Sequence, residues 1–175
     1  APEGVATALA AAQKIDLDRK WKRANTVIVS AGTAAAAVGA TPIPVADAAV
    51  LVPIQLGMMG AVSAIYGVRL DMASLAATVA TTVATTAGRS AVIGLLKLIP
   101  GAGTLIGGAI SGATASAFTL AIGYAWAAVC SQLTQGKLKS LDGVLDNDAV
   151  RDLFKTELKA WFAKLLTKTS DQVSP

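Results

Sequence analysis

One carboxylate in a long apolar run is the first place to look for chemistry. Asp47 stands in GATPIPVADAAVLVP, residues 39–53, and between Asn25 and Gly136 the charged residues are Asp47, Arg69, Asp71, Arg89 and Lys97. About one turn into a helix, a carboxylate meets the positive end of the helix dipole. One reading makes Asp47 a structural cap, or half of a buried ion pair with Arg69, Arg89 or Lys97. The other makes it an ion or proton site, which applies only if the helix lies in lipid. Other reactive groups are scarce. The chain has one cysteine, Cys130, and no histidine. An intrachain disulfide, a histidine metal site and a Ser-His-Asp triad are therefore excluded. Cys130 lies among Ala, Val and Trp, the setting of a buried, inert thiol. No phosphate-binding loop, nucleophile elbow, Cys-x-x-Cys pair or His-Glu-x-x-His motif is present, and GAGTLIG misses the dinucleotide fingerprint by one position. The expectation is a protein that is not an enzyme and takes no cofactor or metal.

The elements that would position these residues are helices. The 175 residues are 54% hydrophobic, 5% aromatic and 15% charged, well under the roughly 25% charged residues of an ordinary soluble domain. Mean hydropathy is +0.59. Period-two alternation is absent and Ala dilutes the β-branched residues, so the expectation is all-α. Residues 1–24 read as an N-terminal helical arm, with its helix over 4–24. Residues 25–136 read as an apolar Ala/Gly-rich double-hairpin core, with helices over 26–40, 44–68, 71–98 and about 102–135. Residues 137–175 read as an amphipathic helix and tail. Together they make one domain, a compact bundle of about five to six helices. In the last of them Val150, Leu153, Phe154, Leu158, Trp161, Phe162 and Leu165 fall at three-to-four spacing, with Asp146 or Asn147 as N-cap.

A short internal echo organises the core. IPVAD at 43–47 aligns with IPGAG at 99–103, and in that register Gly67 meets Gly123. Each copy reads as helix, Ile-Pro turn, longer helix, which predicts two related hairpins about an approximate two-fold. Pro42, Pro44, Pro100, Gly101 and Gly103 are the structural corners. Pro44 and Pro100 suit helix starts, where a missing N–H costs nothing, and the residues before them are pushed out of helix. Gly103, Gly107, Ser111 and Ala115 repeat every four residues as a small-residue seam for close helix approach.

The net charge of +4 collects outside the apolar middle, at Lys14–Arg23 and Lys137–Lys168. That distribution suits an anionic membrane surface rather than nucleic acid. Trp21, Lys22, Arg23, Phe154, Trp161 and Phe162 are the membrane-interface candidates. Residues 98–136 carry no charge and are long enough to cross a bilayer, yet they are mostly Gly, Ala, Ser and Thr. The first residues lack the basic stretch and apolar core of a secretory signal.

VGATPIPVADAAVLVPIQLGMMGAVSAIYG, KLIPGAGTLIGGAISGATASAFTLAIGYA and the tail DNDAVRDLFKTELKAWF resemble the YcjF-type bacterial domain of unknown function over roughly residues 24–165. That domain is similar in pattern to the C-terminal helical region of Era-like and dynamin-like bacterial GTPases. The resemblance implies a helical, membrane-associated bacterial protein encoded beside or fused to a GTPase, in the cytoplasm or at the cytoplasmic face of the inner membrane. It transfers no catalytic residue. The chain itself has no GTPase motif, so nucleotide coupling requires a separate GTPase as partner. The leading expectation is a non-enzymatic module that associates with membrane lipid and anchors, oligomerises or remodels the membrane. A soluble helical assembly protein forming a homo-oligomer is the alternative, and a pore-forming helical domain a second.

Overall fold

A computed structural model describes residues 3–39, 47–68, 112–138 and 146–171. Among the described residues the chain is all-α, with four helices and no strand: α1 (Glu3–Gly39), α2 (Asp47–Tyr66), α3 (Gly112–Thr134) and α4 (Asn147–Asp171).

The first helix differs from the sequence expectation. One unbroken α1 replaces the two helices expected over 4–24 and 26–40. At 1.5 Å per residue it is roughly 55 Å long. The shift from charged to apolar sequence at Asn25 changes what covers the helix, and the backbone runs through it. No proline interrupts α1, and Asn costs a helix interior well under about 1 kcal/mol. Local bonds absorb the polar side chains that follow: Thr26 Oγ1 donates to the Lys22 carbonyl at 3.3 Å and Thr33 Oγ1 to that of Val29 at 3.0 Å. Residues 4–16 are exposed along their whole length, whereas the half from Leu17 onward is covered by neighbours.

The central element is α3, which touches α1, α2 and α4. Ala115, Thr119, Ala121, Ile122, Ala125, Trp126, Ala127, Val129 and Cys130 are all buried, so α3 is covered almost all round, as a helix enclosed by three others must be. Contact pairs give its directions. Gly32 faces Leu120 and Ile28 faces Gly123, so α1 runs antiparallel to it. Phe162 meets Phe118 and Phe154 meets Trp126, so α4 is antiparallel too. Gln55 pairs with Thr119 and Ser63 with Trp126, so α2 runs parallel to α3.

Two glycines set the α1–α3 approach. A Cβ on Gly123 would stand 2.8 Å from Ile28 Cγ1, Ile28 Cγ2 and Met58 Sδ, where three helices meet. A Cβ on Gly32 would stand 2.7 Å from Leu120 Cδ2. The small-residue seam therefore continues past Ala115 through Thr119, Gly123 and Ala127, each one turn apart and each buried.

The two parallel helices end alike. Val68 N–H donates to the Ser63 carbonyl at 2.9 Å and Gly67 N–H to that of Ala64 at 3.1 Å; Lys137 N–H donates to Gln132 at 3.1 Å and Gly136 N–H to Leu133 at 3.0 Å. Both are Schellman turns, and Gly67 (φ 73) and Gly136 (φ 71) supply the left-handed residue. Gly67 thus terminates a helix, while Gly123, its counterpart in the internal echo, is a mid-helix contact point.

The sequence-level reading of α4 meets its structure closely. Val150, Phe154, Leu158 and Phe162 are buried, with Leu153, Trp161 and Leu165 packed at the edges. Asp146 is the N-cap: its Oδ1 accepts from Asp148 N–H at 3.1 Å and Ala149 N–H at 2.9 Å. These are the second and third helical residues, the donors an N-cap serves.

Candidate functional site

The proline corners Pro42, Pro44, Pro100, Gly101 and Gly103, and the basic residues Arg69, Arg89 and Lys97, lie outside the described residues. Asp47 opens α2. Two of the other candidates, Trp21 and Trp161, come together with Tyr124 where α1, α3 and α4 meet at the surface. Trp21 and Trp161 are stacked at 6.0 Å between ring centroids, Tyr124 and Trp161 at 4.4 Å, and Trp21 and Tyr124 lie at 5.7 Å, tilted by 33°. Each helix contributes one ring. Lys164, one turn after Trp161, places Nζ 4.6 Å from that ring's centroid, in cation–π range. Trp21 remains 36% exposed, while Tyr124 and Trp161 are half-buried. Lys22 and Arg23 follow Trp21 on α1, both exposed, and Lys20 is tied to Asp16 at 2.7 Å.

Tyr124 anchors the cluster from beneath. Its hydroxyl donates to Asn25 Oδ1 at 2.8 Å, and burial raises its phenol above the ordinary value. Sequence reasoning did not single it out. The available signal was a Tyr and a Trp two residues apart on an apolar helix, which must face different directions. Tyr124 goes outward to the stack and Trp126 inward. Phe154 and Phe162, candidates for the same interface, are each only 1% exposed and line the α3–α4 core.

Inside the bundle a second set of polar groups joins α2 to α3. Gln55 Nε2 donates to Thr119 Oγ1 at 3.3 Å, Trp126 Nε1 to Ser63 Oγ at 2.9 Å, and Thr134 Oγ1 to the Tyr66 carbonyl at 3.1 Å. Ser63 Oγ also donates to the Met59 carbonyl at 2.9 Å and lies 3.9 Å from Cys130 Sγ. Cys130 is fully buried, as its neighbours in sequence suggested. Burial pushes its thiol up to about 12, with the Ser63 contact opposing, so it is neither a thiolate nor a nucleophile. Burial, with a smaller contribution from Cys130, likewise pushes Tyr66 up to about 12. No buried side-chain polar atom among the described residues lacks a partner. This seam is saturated and structural.

An open cleft of about 360 Å³ lies between α1 and the last turn of α3, lined by Gln13, Asp16, Leu17, Thr134, Gln135 and Lys137. Its polar groups are largely engaged: Asp16 with Lys20, Thr134 with the Tyr66 and Cys130 carbonyls, and Gln135 with Ser131. Among the described residues no group of His, Cys, Asp or Glu is placed to hold a metal. Residues Ala115–Thr134 are long and apolar enough to cross a membrane, yet half of that stretch is buried in the bundle, as in the core helix of a soluble protein. What the described surface offers is a platform of aromatic rings beside a cationic side chain.

No curated protein and no solved structure matches the chain. Residues 6–157 match the family described as domain of unknown function DUF697, which covers most of the sequence, and the chain belongs to that family.

Proposed function

We propose that this chain is a non-enzymatic helical module that binds anionic membrane surfaces and so anchors, oligomerises or remodels membrane, under the control of a separate GTPase at the cytoplasmic face of a bacterial inner membrane. The observation that carries the reading is the surface stack of Trp21, Tyr124 and Trp161 with Lys164 over the Trp161 ring. Tryptophan and tyrosine favour the headgroup level, where one end of the ring is apolar and the other wet. Lys164 gives the stack its cationic edge, and each basic residue near an anionic surface is worth about 1 kcal/mol. The GTPase rests on the YcjF-type resemblance alone. The parallel packing of α2 and α3 supports the two-hairpin arrangement.

Flotation with vesicles of phosphatidylethanolamine and phosphatidylglycerol tests the reading. The protein should rise with the vesicles, and Trp21→Ala/Trp161→Ala should rise substantially less. Recovery of the native protein wholly in the soluble fraction would sink the proposal. A soluble homo-oligomer is the second reading, favoured by the exposed first half of α1, where Val5 and Leu9 are each 59% and Ile15 is 55% exposed. Light scattering behind size exclusion in detergent-free buffer separates the two. A discrete oligomer that ignores vesicles favours the second.

A further inference from the structure

On α2 the usual sidedness of a surface helix is reversed. Its polar side chains after Asp47 are those of Gln55, Ser63 and Tyr66, and all three are buried in the bundle. Gln55 and Ser63 are bonded there to Thr119 and Trp126. Turned outward and exposed are Val50, Val52, Pro53, Gly57 and Ala64, and the half-buried positions beside them are Ile, Leu, Gly or Ala as well. No polar side chain interrupts this outer arc from Val50 to Ile65, about 24 Å of helix. No charged residue occurs between positions 48 and 68. A lone exposed valine is ordinary on any protein surface, but a continuous apolar arc marks a site of contact. A helix that faces water carries its polar residues outside, and an interface between soluble proteins is rimmed by polar groups. The outer arc of α2 has neither. It fits a medium that offers no hydrogen bonds, where each polar group must find its partner within the protein. The neighbouring α1 meets the same condition, since its exposed Thr26 and Thr33 hydroxyls donate to carbonyls of their own helix.

We propose that the outer face of α2 is immersed in membrane hydrocarbon, with lipid acyl chains as its partner. The inner face keeps its hydrogen bonds to α3, so immersion requires no rearrangement of the packed helices. The apolar stretch Val50–Tyr66 is about 25 Å long, comparable to the roughly 30 Å of a bilayer's hydrocarbon core. The inference rests on the membrane reading above. It adds a second surface to the aromatic stack, one that meets acyl chains where the stack meets headgroups.

Nitroxide labels test it. Gly57→Cys places a side chain where nothing lies within 4 Å of the added Cβ. Ala64→Cys is exposed on the same face, and Ala10→Cys, on the exposed first half of α1, is the reference. Each takes a methanethiosulfonate nitroxide, and buried Cys130 does not. On vesicles containing phosphatidylglycerol, the Gly57→Cys and Ala64→Cys labels should respond to oxygen, which concentrates in hydrocarbon, and be shielded from an aqueous nickel chelate. The Ala10→Cys label should show the reverse. If the two α2 labels stay open to the chelate on bound protein, immersion is overturned and the membrane reading survives. Shielding from both reagents also overturns it, because protein then covers the face. Failure of the native chain to float with the vesicles overturns both readings. Ala64→Lys is an independent arm: a lysine on the immersed face should weaken partitioning about tenfold. Ala10→Lys adds the same charge and should not weaken it. Equal partitioning of these two variants counts against immersion.

Discussion

Gly123→Ala should destabilise the protein although alanine is the better helix former. Its Cβ would lie 2.8 Å from Ile28 Cγ1, Ile28 Cγ2 and Met58 Sδ, about 0.6 Å inside ordinary van der Waals contact. The Met58 thioether can rotate away. Ile28 cannot clear both of its γ carbons, because they branch from one Cβ on a residue with no exposed surface. The helices must therefore separate, and overpacking of this kind costs about 1–3 kcal/mol, here near the upper end. Replacing Gly by Ala in a helix returns about 1 kcal/mol. The net loss is about 2 kcal/mol, a Tm fall of about 4–8 °C for a chain of this size. Urea unfolding followed by far-ultraviolet circular dichroism measures it. Gly57→Ala is the internal control: nothing lies within 4 Å of that Cβ, so only the helix gain of about 1 kcal/mol remains. Gly32→Ala should fall between them, since it meets Leu120 alone, a half-buried side chain without a β-branch. Ile28→Ala removes the obstructing carbons, so its cost should shrink by the whole overpacking cost, about 3 kcal/mol, in the Gly123→Ala background. If Gly123→Ala is as stable as the native chain, or if Ile28→Ala costs the same in both backgrounds, α1 and α3 do not meet as described.

Ser63→Ala leaves the Trp126 indole N–H buried without its acceptor and should cost about 1–3 kcal/mol in urea unfolding. Asp146→Ala removes the cap of α4 and should cost about 1 kcal/mol, with faster amide exchange confined to the first turn of that helix. Native Cys130 should not react with Ellman's reagent at pH 8 and should react stoichiometrically in denaturant, as a thiol pushed up to about 12 by burial requires. The same shift fixes a pH dependence. Cys130 and Tyr66 are buried in their neutral forms, with folded values of about 12 against ordinary values of 9.0 and 10.0. Their contribution to stability is complete below pH 9 and is lost as pH rises toward about 12, so the urea midpoint should fall across that range. In Cys130→Ala the fall should begin about one pH unit later.

The parts of this fold legible in the sequence are those set by local rules. The stripe Val150–Leu165 and the Asp146 cap follow from helix periodicity and a single side-chain bond, and both are found. What local rules misplaced was the division of α1. A change of charge density at Asn25 looks like a boundary, yet nothing there breaks backbone hydrogen bonding, and Asn25 finds its partner on Tyr124, far along the chain. Long-range pairings of that kind are invisible to spacing. Trp126 was bound to seek an acceptor, but that the acceptor is Ser63 depends on α2 and α3 running parallel. The internal echo shows the same limit, because Gly67 needs a positive φ and Gly123 needs the absence of a side chain.

The parallel α2–α3 pair carries a consequence of its own. Parallel neighbours cannot be joined by a short turn, and bringing two helices so far apart in the chain side by side carries a loop-closure cost. The structure answers with directional contacts. Hydrogen bonds recur along the pair from Gln55–Thr119 through Ser63–Trp126 to Tyr66–Thr134, and a shift by one turn in either direction would take the Trp126 indole N–H and the Gln55 amide from their partners together. Small residues on α3 bring the backbones close, but alanine and glycine alone accept several registers with similar energy. The polar residues of this apolar core therefore specify one alignment of α2 against α3.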